Sequence, residues 1–214
     1  MIKNLLVTAM LSVSALSFAQ KISLTPSVGY AWRVNKIPDN FSPQEKAYAK
    51  GLKSGMNFDV ALRYEVKNGF NIGFKYSNYS ASHSGRLSVI DNMGNIASAS
   101  VTTNDAINFY GPLFSVTNFE EGTKHKFILD AALGAITYTT KTGNVRGKGA
   151  SLGAEVDFAY QYQIHKNILI GPKVGLSGGT LSSMTFNGQK ITFEEDQKEG
   201  LSRLSLSAAA TFRF

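Results

Sequence analysis

Three histidines, His83, His125 and His165, are the side chains of this 214-residue chain best suited to hold a metal or move a proton near neutral pH. They lie far apart, with no His-x-His or His-x₃-His spacing to aim two imidazoles at one ion, so they read as solvated residues of loops and turns. The chain has no cysteine, which excludes disulfides, thiolate ligands and a cysteine nucleophile. His83-Ser84 is the seed of a nucleophilic site, with Asp105 or Asp91 as the acid that would orient the imidazole. The signal is weak, because adjacent residues on a strand point to opposite faces. Gly143-Asn144-Val145-Arg146-Gly147-Lys148-Gly149 lacks the spacing of a nucleotide loop and reads as a flexible basic segment. With Lys141, its Arg146 and Lys148 can donate charge-assisted hydrogen bonds to phosphate. No cofactor is expected.

The elements that carry these residues are strands. Ile22, Leu24, Pro26, Val28, Tyr30 and Trp32 alternate with small residues, and Met56, Phe58, Val60, Leu62, Tyr64 and Val66 repeat the pattern. Asn68-Gly69 marks a tight turn into Phe70, Ile72, Phe74 and Tyr76. A fourth strand over 106–116 and a fifth over 126–138 carry apolar residues on both faces, so their phase stays open, and Gly111-Pro112 predicts a bulge. The sixth, "GASLGAEVDFAYQY", alternates cleanly, a seventh covers 168–177, and "LSRLSLSAAATFRF" ends the chain. Pro26, Pro112 and Pro172 each remove a ladder hydrogen bond and leave exact register open.

Connections alternate in length. Those over 67–69, 118–124 and 164–167 are short, whereas 34–53, 78–105, 139–149 and 178–200 are long. Such asymmetry, with an even number of strands, predicts an eight-stranded antiparallel transmembrane β-barrel. Ser42-Pro43-Gln44-Glu45 is a capping box that starts a short helix ending near Gly51. Segments 86–90 and 96–101 predict a hairpin in the second long loop; if that pair crossed lipid, the strand count would be ten.

Which face looks outward follows from composition. The polar face of the first, sixth and last strands is mostly Ser, Gly, Ala and Thr, whereas the outside of a soluble barrel would be rich in Lys, Glu and Asp. The apolar face therefore meets lipid, and the aromatics at strand ends form interfacial girdles. Asp59, Arg63, Glu65, Lys75, Glu155, Asp157, Lys173, Arg203 and Arg213 then share the lumen as a near-balanced charge network, which favours a filled interior over a pore.

The first twenty residues combine Lys3, an apolar run over 5–16 and Ser17-Phe18-Ala19, the pattern of a signal peptide spanning 1–19. Cleavage between Ala19 and Gln20 would leave 20–214 as one barrel domain. The net charge of +7 is scattered, and an exported chain gives no reason to expect nucleic acid.

On the signal ending, the "GASLGAEVDFAYQY" strand and the last strand closing on Phe214, the chain resembles the small outer-membrane β-barrels of Gram-negative bacteria, the OmpA/OmpX-like group and the porin-family barrels of Bacteroidota. The resemblance implies a monomer in the outer membrane, with Phe212 and Phe214 read by the barrel assembly machinery and the last strand paired with the first. The likeness identifies an architecture more than an activity; the expected role is a non-enzymatic scaffold or loop-display protein, with outer-membrane lipids and lipopolysaccharide as partners and the basic third loop, through Lys141, Arg146 and Lys148, holding lipopolysaccharide phosphates. A small-solute channel and a lipid A-modifying enzyme remain the alternatives.

Overall fold

A computed structural model describes residues 21–37, 41–90, 96–120, 122–194 and 198–214, so the signal segment, with Ala19 and Gln20, and Asp91 lie outside the described residues. Strands β1 (Ile22–Arg33), β2 (Ser54–Lys67), β3 (Phe70–Ile90), β4 (Ile96–Thr117), β5 (His125–Thr142), β6 (Val145–His165), β7 (Ile168–Leu181) and β11 (Arg203–Arg213) form an antiparallel ring. Each pairs with the next along the chain, and β11 lies between β7 and β1. Closure leaves the ring without a free edge, which lets a sheet sit in hydrocarbon. Short strands β8 (Ser183–Phe186), β9 (Gln189–Thr192) and β10 (Glu199–Gly200) decorate the fourth long connection.

The eight strands alternate as the sequence predicts, and the faces are sorted by burial. Val28, Phe58, Leu62, Phe74, Phe114, Leu129, Leu152, Val174 and Leu206 are exposed on the outside, while Ser23, Thr25, Asp59, Arg63, Lys75 and Ser207 are buried in the lumen. The two strands of open phase resolve the same way: Ile107, Phe109 and Leu113 of β4 and Ile128, Ala132 and Ile136 of β5 point inward. The interior is thus lined by apolar as well as small and ionised residues.

The predicted bulge at Gly111-Pro112 is absent. Pairing between β4 and β5 is interrupted between Tyr110↔Ala135 and Leu113↔Ala132 but resumes in the same register. Opposed glycines absorb the proline here: a Cβ on Gly111 would run into the Leu133 carbonyl, and one on Gly134 into that of Tyr110. Pro26 and Pro172 leave similar unshifted gaps against β11 and β6. The register shifts that do occur lie beside turns, at Glu65/Lys67 and Gln163/His165. Gly69, with φ of 80°, turns β2 into β3 in a conformation that suits glycine.

The long loops are largely strand. Segments 86–90 and 96–101 are continuations of β3 and β4, which pair without a break up to Ile90↔Ile96, so the ring has eight strands and no additional spanning pair. β5 and β6 likewise run up to Thr142↔Val145 and close on Gly143-Asn144. Helix α1 (Pro43–Gly51) forms on its capping box, with Ser42 N–H donating to Glu45 at 2.8 Å and Glu45 N–H to the Ser42 hydroxyl at 3.3 Å. Its Tyr48 hydroxyl donates to Thr103 Oγ1 at 2.7 Å, which seats the helix against the inner side of the raised β3–β4 hairpin. Among the described residues no helix is long and apolar enough to span a bilayer.

Candidate functional site

Alternation on β2, β3, β6, β7 and β11 delivers three acids and three cations to one level of the lumen. Lys75 lies 2.9 Å from Glu155 and also bonds Asp157; Lys173 bonds Asp59 and lies 3.4 Å from Asp157; Arg203 reaches Glu155 at 2.6 Å. Hydroxyls complete the cluster, with Ser27 donating to Asp59 at 2.5 Å and Ser77 to Glu155 at 2.7 Å. All six ionised side chains are buried. Unpaired charge in such a setting is costly, so matching three against three is what makes the arrangement tenable.

Other charges form separate groups. Arg63 grips Asp130 in a two-pronged pair, with Nε to Oδ1 at 2.9 Å, and donates to Thr25 Oγ1 at 2.7 Å. Thr25 and Thr211 share a 2.7 Å hydrogen bond across the β1–β11 seam. Glu65 stands apart from the central cluster and accepts from the Gly69 N–H at 2.9 Å, clasping the β2–β3 turn. Arg213 also stands apart, partly exposed at the rim, 3.6 Å from Glu120 and 4.7 Å over the Phe119 ring. At the opposite mouth, buried Arg33 donates to Glu199 and to the Gly200 carbonyl, and lies 3.6 Å from Asp105 and 5.2 Å from the Tyr138 ring centre.

Sequence reasoning missed Asp130, Lys126, Arg33, Glu199 and the ion-paired role of Asp105. Asp130 and Lys126 sit on a strand whose phase the sequence leaves open, and Asp105 and Glu199 sit where it predicts long connections. The signal for Asp130 is its even spacing from Ile128 and Ala132, which share its inward face.

Apolar layers close the lumen on either side of the charges. Tyr79, Ile107, Phe109, Ile136 and Tyr138 pack toward the long-loop end, and Phe119, Ile128, Ala159 and Leu169 toward the short-turn end. The free space within the charged layer is about 10 Å³. That is room for about one water centre and not for a continuous column.

The hydrolytic combination does not assemble. His83 turns inward against the Tyr48 ring, 5.3 Å between centres, whereas Ser84 is exposed and shares a 2.8 Å hydrogen bond with Thr102. Asp105 is engaged by Arg33. His125 contacts Tyr160 at 2.5 Å among Phe127 and Tyr162 at the short-turn end of the outer face, and His165 lies exposed as the last residue of β6. These aromatics form one girdle; Tyr30 with Trp32, and Tyr76 stacked on Tyr110, form the other. Phe212, between Leu24 and Ile168, and Phe214, whose N–H donates to the Ile22 carbonyl at 2.9 Å, are exposed on the outer face at the short-turn end. Lys141 and Arg146 oppose one another across β5 and β6, with Lys148 next on the same exposed face.

No protein-family model and no curated protein matches the sequence. Solved structures do resemble the fold. The chain aligns with a major outer membrane protein from Thermus thermophilus at a TM-score of 0.53 and 10% identity, covering 91% of this chain and 99% of that one. Neisserial surface protein A aligns at 0.50 and 12% identity, over 90% and 97%. A closed eight-stranded ring, apolar outside and ion-paired inside, together with these likenesses, gives the chain the fold of the small, OmpA/OmpX-like outer-membrane β-barrels.

Proposed function

We propose that the chain is a non-conducting integral protein of the outer membrane that acts through the surface it holds above the bilayer. The observation that carries this reading is the filled lumen: a neutral cluster of six buried ions, flanked by apolar layers, within a ring whose outer face is apolar. Eight strands enclose only enough room for side chains. What remains available for recognition is the outside, and β3 and β4 continue some 14 residues beyond Tyr76, about 45 Å along the strand, carrying Ser, Thr and Asn outward. Export by the signal segment and delivery by the assembly machinery, with Phe212 and Phe214 as the address, belong to the same proposal.

The test is electrical. The chain lacking residues 1–19, folded in detergent so that unboiled and boiled samples migrate differently on a gel, is added to planar bilayers. Insertion without stepwise conductance is expected. Regular openings of uniform size would instead favour a small-solute channel and overturn the sealed-lumen reading.

A further inference from the structure

Three polar atoms around the free space of the charged layer are left over by its ion pairs. Arg203 commits Nη2 to Ser77 at 2.7 Å and to Glu155 at 2.6 Å, and its Nη1 has no partner among the described residues. Asn57 turns its Nδ2 toward Asp59, 3.5 Å away, so its Oδ1 points elsewhere and is likewise unpaired. Ser177 is the cross-strand partner of both Glu155 and Arg203, and its hydroxyl is the third such atom. All three atoms are buried, and Asn57 and Arg203 are each 3% exposed. The three residues, brought from β2, β7 and β11, line one space of about 10 Å³.

That coincidence has a physical reading. A buried donor or acceptor without a partner is costly and rare, and three around one small space point to a shared partner. Its size is set by the space, which admits about one water-sized centre. Its charge is set by the wall. A cation there would meet the Arg203 guanidinium and the Lys75 ammonium, and an anion would meet Asp59, Glu155 and Asp157. Its hydrogen bonding is set by the three atoms: Arg203 Nη1 only donates, Asn57 Oδ1 only accepts, and the Ser177 hydroxyl does either. The occupant must therefore be neutral, small, and both donor and acceptor.

We infer that this space is a binding site for a single water molecule, which accepts from Arg203 Nη1, donates to Asn57 Oδ1 and takes Ser177 Oγ as its third partner. The inference rests on the filled-lumen reading above and deepens it. The plug is then six ions and one water, with the water tying the Arg203 guanidinium to β2. The apolar layers on either side separate it from both mouths, so it exchanges with solvent only when the barrel opens locally.

The experiment is oxygen-17 relaxation dispersion of the solvent, which counts water molecules held longer than the protein takes to tumble. It is run on the detergent-folded chain lacking residues 1–19, as wild type and as three variants. Ser177→Val puts a methyl group in the space of one water, Asn57→Leu removes the acceptor, and Ser82→Val is a control on the exposed outer face. Each lumen variant should hold one long-lived water fewer than wild type, and the control should match wild type.

Equal counts in wild type and both lumen variants would overturn the inference and leave the filled lumen standing. A wild-type count that falls as sodium chloride is raised would overturn it by making an ion the occupant. Loss of three or more waters from either lumen variant would overturn it by revealing a column, and the filled-lumen reading would fall as well. Gel mobility with and without boiling is read on all four proteins; if one lumen variant does not fold, the other carries the comparison.

Discussion

Breaking the Arg63–Asp130 pair asks directly whether water fills the lumen. Both side chains are at most 2% exposed, and the guanidinium makes two bonds to the carboxylate and one to Thr25. Arg63→Met leaves Asp130 charged, buried and without its cation; Asp130→Leu leaves Arg63 with a hydroxyl alone. Each should cost about 3–5 kcal/mol, because the penalty is that of an uncompensated buried ion. The double variant replaces both charges by apolar groups of similar bulk and should return to within about 1–2 kcal/mol of wild type, giving a coupling of at least about 3 kcal/mol. Trp32, the sole tryptophan, sits on the outer face beside Tyr30 and reports departure from lipid. Urea titration of the chain in phospholipid vesicles, followed by its fluorescence and extrapolated linearly, gives the four free energies. Single variants within about 1 kcal/mol of wild type and an additive cycle would mean that both ions are hydrated in place, and the sealed lumen would be refuted.

Two further outcomes follow from the outer face and the capping helix. Leu62→Arg puts a charge at a lipid-facing position of β2 and should destabilise the vesicle-bound barrel by about 2–4 kcal/mol, whereas Lys21→Arg at the rim should not, in the same urea assay. Hydrogen bonds from the Ser42 backbone and side chain hold the Glu45 carboxyl below its usual range. A depressed folded pKa stabilises α1 above the unfolded value near 4.3 and loses that contribution as pH falls through the folded value. Amide exchange in α1 should therefore accelerate at pH 3 relative to pH 6, beyond the intrinsic change, and Glu45→Gln should flatten the difference.

Class, strand number and outward face are legible in the sequence because lipid enforces contrast: wherever a strand crosses hydrocarbon, every second residue must be apolar, as in Phe58-x-Val60-x-Leu62. Above the bilayer that contrast ends. Ser80, Ser82 and Ser84 face outward on β3 and are as polar as a loop, so the raised parts of β3 and β4 read as connection although the pairing never breaks. The phase of β4 and β5 is hidden for the converse reason, since Ile107 and Phe109 fill the lumen while Tyr110 and Phe114 meet lipid, and both faces read as greasy. Among the lumen charges, alternation gives the face but not the partner. Glu65 and Arg213 share the inward phase, yet height along the strand gives one to a turn and the other to the rim.

The seam between β1 and β11 has a consequence for biogenesis. Thr25 and Thr211, which bond across it, are 186 positions apart. Until the last strand arrives, β1 and β7 are both unpaired edges and the strands between them an unrolled, adhesive sheet. The cylinder can shut only when the strand pairing of greatest sequence separation forms, so the slowest step of folding should be the meeting of β1 and β11.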